Sequence, residues 1–143
     1  MFNDFDSRDV NAKLYSLIEC KDYDGVSQEL LTNHSLRINK KNQFGWRVLN
    51  LAINDHEFPL DVVSKILDYP GFQINKKDDI GRSYLHDAIS TRRIDLIRVL
   101  LEKGIDLSLK DDDGYDAISF AKIADCNEDI LSLLESHSFG KSI

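Results

Sequence analysis

The sequence predicts an all-α fold, a solenoid of stacked helix-turn-helix units joined by short hairpin-like finger loops. Three observations predict it. Three segments align with one another: Ile38-Asn39-Lys40-Lys41-Asn42-Gln43-Phe44-Gly45, Ile74-Asn75-Lys76-Lys77-Asp78-Asp79-Ile80-Gly81 and Leu107-Ser108-Leu109-Lys110-Asp111-Asp112-Asp113-Gly114. Their glycines lie 36 and 33 residues apart, and two other sets, Leu49, Leu85 and Ile118, and Ala52, Ala88 and Ala121, keep the same intervals. After each glycine comes a short helical phrase and then a second amphipathic run. A period of this size marks a repeat array, in which each unit buries its apolar face only against its neighbours.

The first unit, 9–41, is degenerate. Leu14, Leu17 and Ile18 suit its first helix, and Val26, Leu30 and Leu31 its second. It lacks a glycine finger, as suits a capping repeat with one face toward water. In the second unit, 42–77, Arg47-Val48-Leu49-Asn50-Leu51-Ala52 leads to the stripe Val62, Val63, Ile66 and Leu67. Pro59 stands near the start of that helix, where a missing N–H costs nothing, and Pro70-Gly71 closes it. This unit has three extra residues, two of which lengthen the turn around His56-Glu57-Phe58. The third unit, 78–110, is the most regular: Leu96, Ile97, Leu100 and Leu101 form one helical stripe, ended by Gly104. In the fourth, 111–138, Asn127 caps a helix whose first turn holds Glu128 and Asp129, the charge sign that the positive helix end favours. Its stripe is Ile130, Leu131, Leu133 and Leu134. Residues 1–8 read as an N-terminal lead and 139–143 as a tail.

On these residues the chain resembles the ankyrin repeat, a unit of about 33 residues marked by Thr-Pro-Leu-His-x-Ala. Ser83-Tyr84-Leu85-His86-Asp87-Ala88 matches that phrase at Leu85, His86 and Ala88. Leu100-Leu101-Glu102-Lys103-Gly104-Ile105-Asp106-Leu107 is similar to the family's Leu-Leu-x-x-Gly-Ala-Asp-Val ending. Elsewhere the pattern is looser. Arg47 and Asp116 stand where Thr is usual, Asn50 and Ser119 where His is usual, and no phrase contains Pro. The resemblance covers about residues 9–138 and extends to four units, the first and last acting as caps.

Composition narrows the functional classes. Of 143 residues, 42% are hydrophobic and 30% charged, enough apolar material for a core. Eighteen Lys and Arg against 25 Asp and Glu leave a net charge of −7. That balance opposes general nucleic-acid or anionic-membrane binding, which needs a positive surface, and suits a basic partner. No apolar run approaches the roughly 20 residues of a membrane span. The acidic start, Met1-Phe2-Asn3-Asp4-Phe5-Asp6, lacks the features of a secretory signal, so a cytoplasmic location is expected. Cys20 and Cys126 are far apart and lack neighbouring ligands at metal spacing, so both are expected as reduced core or half-buried thiols.

Candidate chemistry meets bland alternatives at each point. His86 occupies the histidine of the resembling phrase, which in the family hydrogen-bonds backbone between adjacent loops. No neighbouring nucleophile or orienting group argues for catalysis. Asp111-Asp112-Asp113-Gly114 evokes a calcium loop, but the positions needing an acid and a Glu hold Leu109 and Phe120. The segment 102–116 still carries Glu102, Asp106, Asp111, Asp112, Asp113 and Asp116 against Lys103 and Lys110, either a solvated finger or an electrostatic docking site. Single glycines, one per repeat, do not make a phosphate loop. No enzyme activity, metal or cofactor is expected.

The resemblance implies a protein partner, met by finger tips and the concave ends of first helices. The corresponding finger-tip residues are Gln43, Phe44 and Trp46, then Asp79, Ile80 and Arg82, then Asp112, Asp113 and Tyr115. The first-helix ends are Asn54 and Asp55, then Ser90 and Thr91. Phe44, Trp46, Ile80, Arg82 and Tyr115 are expected along one ridge, and Trp, Tyr and Arg dominate binding hot spots. The expectation is therefore a protein-binding module, monomeric when free, that inhibits a basic enzyme by occlusion, as an immunity protein would. An adaptor that recruits without inhibiting is the alternative.

Overall fold

The computed structural model describes residues 9–141. The expected lead, 1–8, lies outside the described residues. Among those described there are eight helices and no strand, and the helices follow one another in four pairs. The chain divides into two compact units, Met1–Phe72 and Gln73–Ile143.

In the first unit α1 (Ala12–Glu19) pairs with α2 (Tyr23–Thr32), and α3 (Val48–Ile53) with α4 (Leu60–Leu67). First helix stacks on first helix, α1 on α3, and second on second, α2 on α4. Helices of six to ten residues are too short to persist alone in water, so this stacking is what holds them. Leu14, Val26, Val48, Leu49, Ile53, Val63 and Ile66 are buried between the layers. Asn11, itself buried, clamps the loop ahead of the first finger by accepting from Arg37 N–H at 2.9 Å and donating to its carbonyl at 2.8 Å. The lengthened turn, 54–59, pushes Phe58 into the core, edge-on to Tyr23 at 5.3 Å. One expectation for α2 is corrected. Leu31 is 57% exposed, and Glu29 instead lies on the buried face beside Val26 and Leu30, accepting from the Asn33 amide at 2.9 Å. The i, i+3, i+4 spacing of 26, 29 and 30 explains this: Leu31 falls past the edge of that stripe.

The second unit repeats the plan with α5 (Tyr84–Thr91), α6 (Ile94–Glu102), α7 (Ala117–Ile123) and α8 (Glu128–Lys141). Here α5 stacks on α7 and α6 on α8. Leu85, Ala88, Ile89, Leu96, Ile97, Leu100, Ala121 and Leu134 are fully buried. Helix starts are capped by side chains: Asp116 accepts from Ser119 N–H at 2.9 Å and Asn127 from Ile130 N–H at 3.1 Å. Helix α8 runs through 139–141, a stretch expected as tail, while 142 and 143 lie outside the described residues. Cys126 is buried, but Cys20, expected as a core or half-buried thiol, is exposed. It is the C-cap residue of α1, where the chain turns away from the stacked face. No helix is long and apolar enough to cross a membrane, among the described residues.

The three fingers share one construction. In the first, Asn42 Oδ1 accepts from Phe44 N–H at 2.9 Å and from Trp46 N–H at 3.0 Å, and Gly45 N–H returns to the Asn42 carbonyl at 3.0 Å. Asp78 does the same for Ile80 and Arg82, at 3.0 and 2.9 Å, and Asp111 for Asp113 and Tyr115, at 3.0 and 2.9 Å. Asp111 is therefore buried and structural, not a solvated finger-tip carboxylate. The glycine that completes each turn has φ between 77° and 87°, a left-handed conformation that side chains disfavour. Gly81 carries a second constraint, because Asp112 N–H donates to the Ile80 carbonyl at 3.2 Å and brings the next finger against it.

Two stability outcomes follow. Leu85→Ala and Leu100→Ala should each cost about 2–5 kcal/mol in denaturant unfolding, since both are fully buried. Gly114→Ala meets open space and should cost only the left-handed penalty, about 1–2 kcal/mol. Gly81→Ala should cost clearly more, because its Cβ would stand 2.7 Å from the Asp112 backbone nitrogen. Equal losses at the two glycines would contradict this packing.

Candidate functional site

The first finger and the end of the first helix behind it face a common space. With the Asn42 amide oxygen tying down their backbone, Phe44 and Trp46 leave 70% and 44% of their surface exposed, unusual for rings of this size. Both line an open cleft of about 640 Å³ together with Asn54 and Asp55, and with Ile18 and Leu51 at its base. Four of the expected binding residues thus come together here. Gln43, on the same finger, is exposed but does not line the cleft.

Lys21 and Glu57, which the sequence reading did not single out as binding residues, also line the cleft, and Tyr23 braces Asp55 without lining it. Lys21 Nζ stands 3.6 Å from Asp55 Oδ1 and 3.3 Å from Glu57 Oε1, and the Tyr23 hydroxyl donates to Asp55 Oδ2 at 2.7 Å. Partial burial pushes the Asp55 carboxyl up. The Tyr23 hydroxyl, the Glu57 backbone N–H and the Lys21 ammonium outweigh it and hold the group below the usual carboxylate range. The Lys21 ammonium is held above its ordinary value, first by its hydrogen bond to Glu57 and then by the Asp55 charge. Burial, then the bond to Asp55, raises the Tyr23 hydroxyl. Lys21 and Tyr23 lie more than 30 positions before their partners, so no local pattern announces the group.

In the second unit the two fingers lie side by side. Ile80 is 54% exposed, and Asp79, Asp112 and Asp113 also face solvent. Arg82 is half-buried, its guanidinium carbon 5.0 Å from the centre of the Phe120 ring. Tyr115 keeps 36% of its surface open while its backbone carbonyl accepts from His86. Of the α5 residues, Ser90 is exposed, and Thr91 is half-buried with its hydroxyl donating to the Ala88 carbonyl at 2.9 Å.

One expectation is corrected: a hydroxyl, that of Ser83, does neighbour His86, but the pair lacks a catalytic setting. Their Oγ and Nδ1 are 2.8 Å apart, and both residues are buried. Ser83 N–H donates to Nδ1 at 3.2 Å, so the ring proton sits on Nε2, which donates to the Tyr115 carbonyl at 2.8 Å. Both ring nitrogens are spent on backbone, and Phe120 packs edge-on at 5.2 Å. The imidazole joins one finger to the next. In the preceding repeat Asn50 stands at the matching position, its amide oxygen accepting from Arg47 N–H at 3.0 Å. Among the described residues no group of histidines, cysteines and acids could hold a metal ion.

The cleft network has a pH signature. The Asp55 pKa is lower folded than unfolded, so its contribution to stability is present above about pH 3.9, the unfolded value, and fades as pH falls through the folded one. Lys21 and Tyr23 are raised, so theirs is present below about pH 10 and fades as pH rises through their folded values. Carbon-detected NMR titration should place the Asp55 midpoint below about 3.9. Asp55→Asn should lower the Tyr23 midpoint only part of the way, because burial is its first cause. An Asp55 midpoint at or above the ordinary value would contradict the network.

Comparison with known proteins agrees with this construction. The family profile described as ankyrin repeats in three copies matches residues 16–111. An ankyrin repeat protein of Acanthamoeba polyphaga mimivirus is 39% identical over 77 residues, 54% of this chain and 10% of that protein. An ankyrin repeat-containing protein of Schizosaccharomyces pombe is 30% identical over 83 residues, 58% of this chain and 40% of that protein. The matched stretch is therefore a minor part of either relative. Fingers stapled at 42, 78 and 111, paired helices behind them and a histidine bridging two loops meet the matching profile in one conclusion: the chain belongs to the ankyrin repeat family.

Proposed function

We propose that this chain is a non-catalytic binding module that holds a basic partner protein with its finger tips and first-helix ends. Ankyrin repeats generally mediate binding between proteins, and the family is typically non-catalytic. The observation that carries the reading is the exposure of Phe44, Trp46 and Ile80 on backbone that is already fixed. A large apolar side chain on a rigid loop loses little conformational freedom on binding, which is what makes a hot spot. The partner's expected sign follows from the net charge of −7. Occlusion of a basic enzyme, with carboxylates standing where substrate phosphates would bind, is the specific form proposed, in the manner of an immunity protein. A cytoplasmic setting and a monomeric free state belong to the same proposal. An adaptor role would use the same surface without blocking activity.

Trp46→Ala combined with Ile80→Asp should weaken retention of the captured partner by several kcal/mol, about 2 or more for each hot spot, with helicity by circular dichroism unchanged. Raising salt from about 50 to 200 mM should weaken it further, as charge attraction is screened. Assay of the partner's activity with and without the chain separates inhibitor from adaptor. Undiminished retention by the double variant would refute the finger-tip assignment.

A further inference from the structure

We infer that the cleft of the first unit receives an arginine side chain of the partner. The inference rests on the finger-tip reading and names the group that enters. The cleft, about 640 Å³, lies within the roughly 300–1,000 Å³ range of ligand sites. Two aromatic rings, Phe44 and Trp46, line it with much of their surface uncovered, and the carboxylates of Glu19, Asp55 and Glu57 share the same walls. Against those three carboxylates the lining sets one ammonium, Lys21, and the imidazole of His56.

The hydrogen-bond ledger shows which acceptors an incoming cation would use. Asp55 Oδ1 faces Lys21 and accepts from Glu57 N–H at 3.0 Å, and Oδ2 accepts from Tyr23. Asp55 is thus committed to holding the rim. Glu57 meets Lys21 through Oε1 only, with its side chain 74% exposed. Glu19 is exposed, and its side chain makes no hydrogen bond or ion pair among the described residues. A site with open carboxylate oxygens beside aromatic faces fits a guanidinium better than an ammonium. The guanidinium is planar, weakly hydrated, stacks on rings and pairs with a carboxylate through two parallel bonds. Lys21 already shows that the acidic end holds a cation, and it also lowers the charge left for a visitor.

Trp46 is the chain's one tryptophan, so its fluorescence reports the cleft directly. The probe is a blocked glycine-serine peptide with a single arginine, run beside versions carrying lysine or the neutral isostere citrulline. The arginine peptide should give a saturable change, the lysine peptide a weaker one, and the citrulline peptide none over the same concentrations. Glu57→Gln, Glu19→Gln and Phe44→Ala, all at exposed positions, should each weaken binding about two- to fivefold, and Lys21→Ala should tighten it. No saturable response, citrulline or lysine equal to arginine, or indifference to the glutamate variants would each overturn the assignment. Partner retention measured in parallel separates the two claims. If Trp46→Ala with Ile80→Asp still loses the partner while the arginine peptide fails, only the arginine assignment falls. If that double variant retains the partner fully, the finger-tip reading falls with it.

Discussion

A five-residue turn with no sheet to pair with leaves backbone N–H groups pointing into its own loop. Asn42, Asp78 and Asp111 meet that demand with one side-chain oxygen each, accepting two N–H bonds two and four residues on. An unsatisfied donor there would cost roughly 1–3 kcal/mol where buried, so the staple decides whether the finger holds a single shape. Everything displayed on the tips depends on it. Phe44, Trp46 and Ile80 can stay exposed because their backbone needs no help from their side chains.

Behind the fingers, the same economy of short elements makes stacking obligatory. None of α1 to α7 exceeds ten residues, and isolated helices of that length are marginal in water. Each unit answers by layering like helix on like, with fully buried Leu, Ile and Val side chains between. His86 and Asn50 show two solutions to one local problem. The imidazole accepts from its own cap and donates to the next loop, and the Asn50 amide oxygen likewise accepts from its own cap. A histidine 2.8 Å from a serine hydroxyl, taken by itself, would invite a catalytic reading. Its burial and its two backbone partners remove that reading.

Charge is distributed by similar logic. Of the six carboxylates between 102 and 116, Asp111 staples a finger, Asp116 caps α7, and Asp106 accepts from Ser108 N–H at 2.9 Å. Asp111 and Asp116 add to the acidic field while holding backbone, whereas Asp106, Asp112 and Asp113 face solvent. In the first unit the division is sharper. Asp55 is consumed in orienting Tyr23 and Lys21, and Glu19 and Glu57 keep accepting capacity beside the aromatic rings.

Sequence alone determined the repeat, the four helix pairs and the glycine turns, because each rests on residues close together in the chain. Leu85, Leu96 and Leu100 were legible as core from helical spacing, and Phe44 and Trp46 as finger-tip residues from their place beside Gly45. The recurring Asn or Asp three residues before each finger glycine was also visible, though its bonding was not. Leu31 and Cys20 went the other way, since a stripe's edge depends on where the neighbouring helix lies. Only tertiary structure brought Lys21 and Tyr23 to Asp55, placed Arg82 over Phe120, and opened a cleft between one finger and the end of α1. Those contacts join different repeats, where spacing along the chain carries no information about which side chains meet.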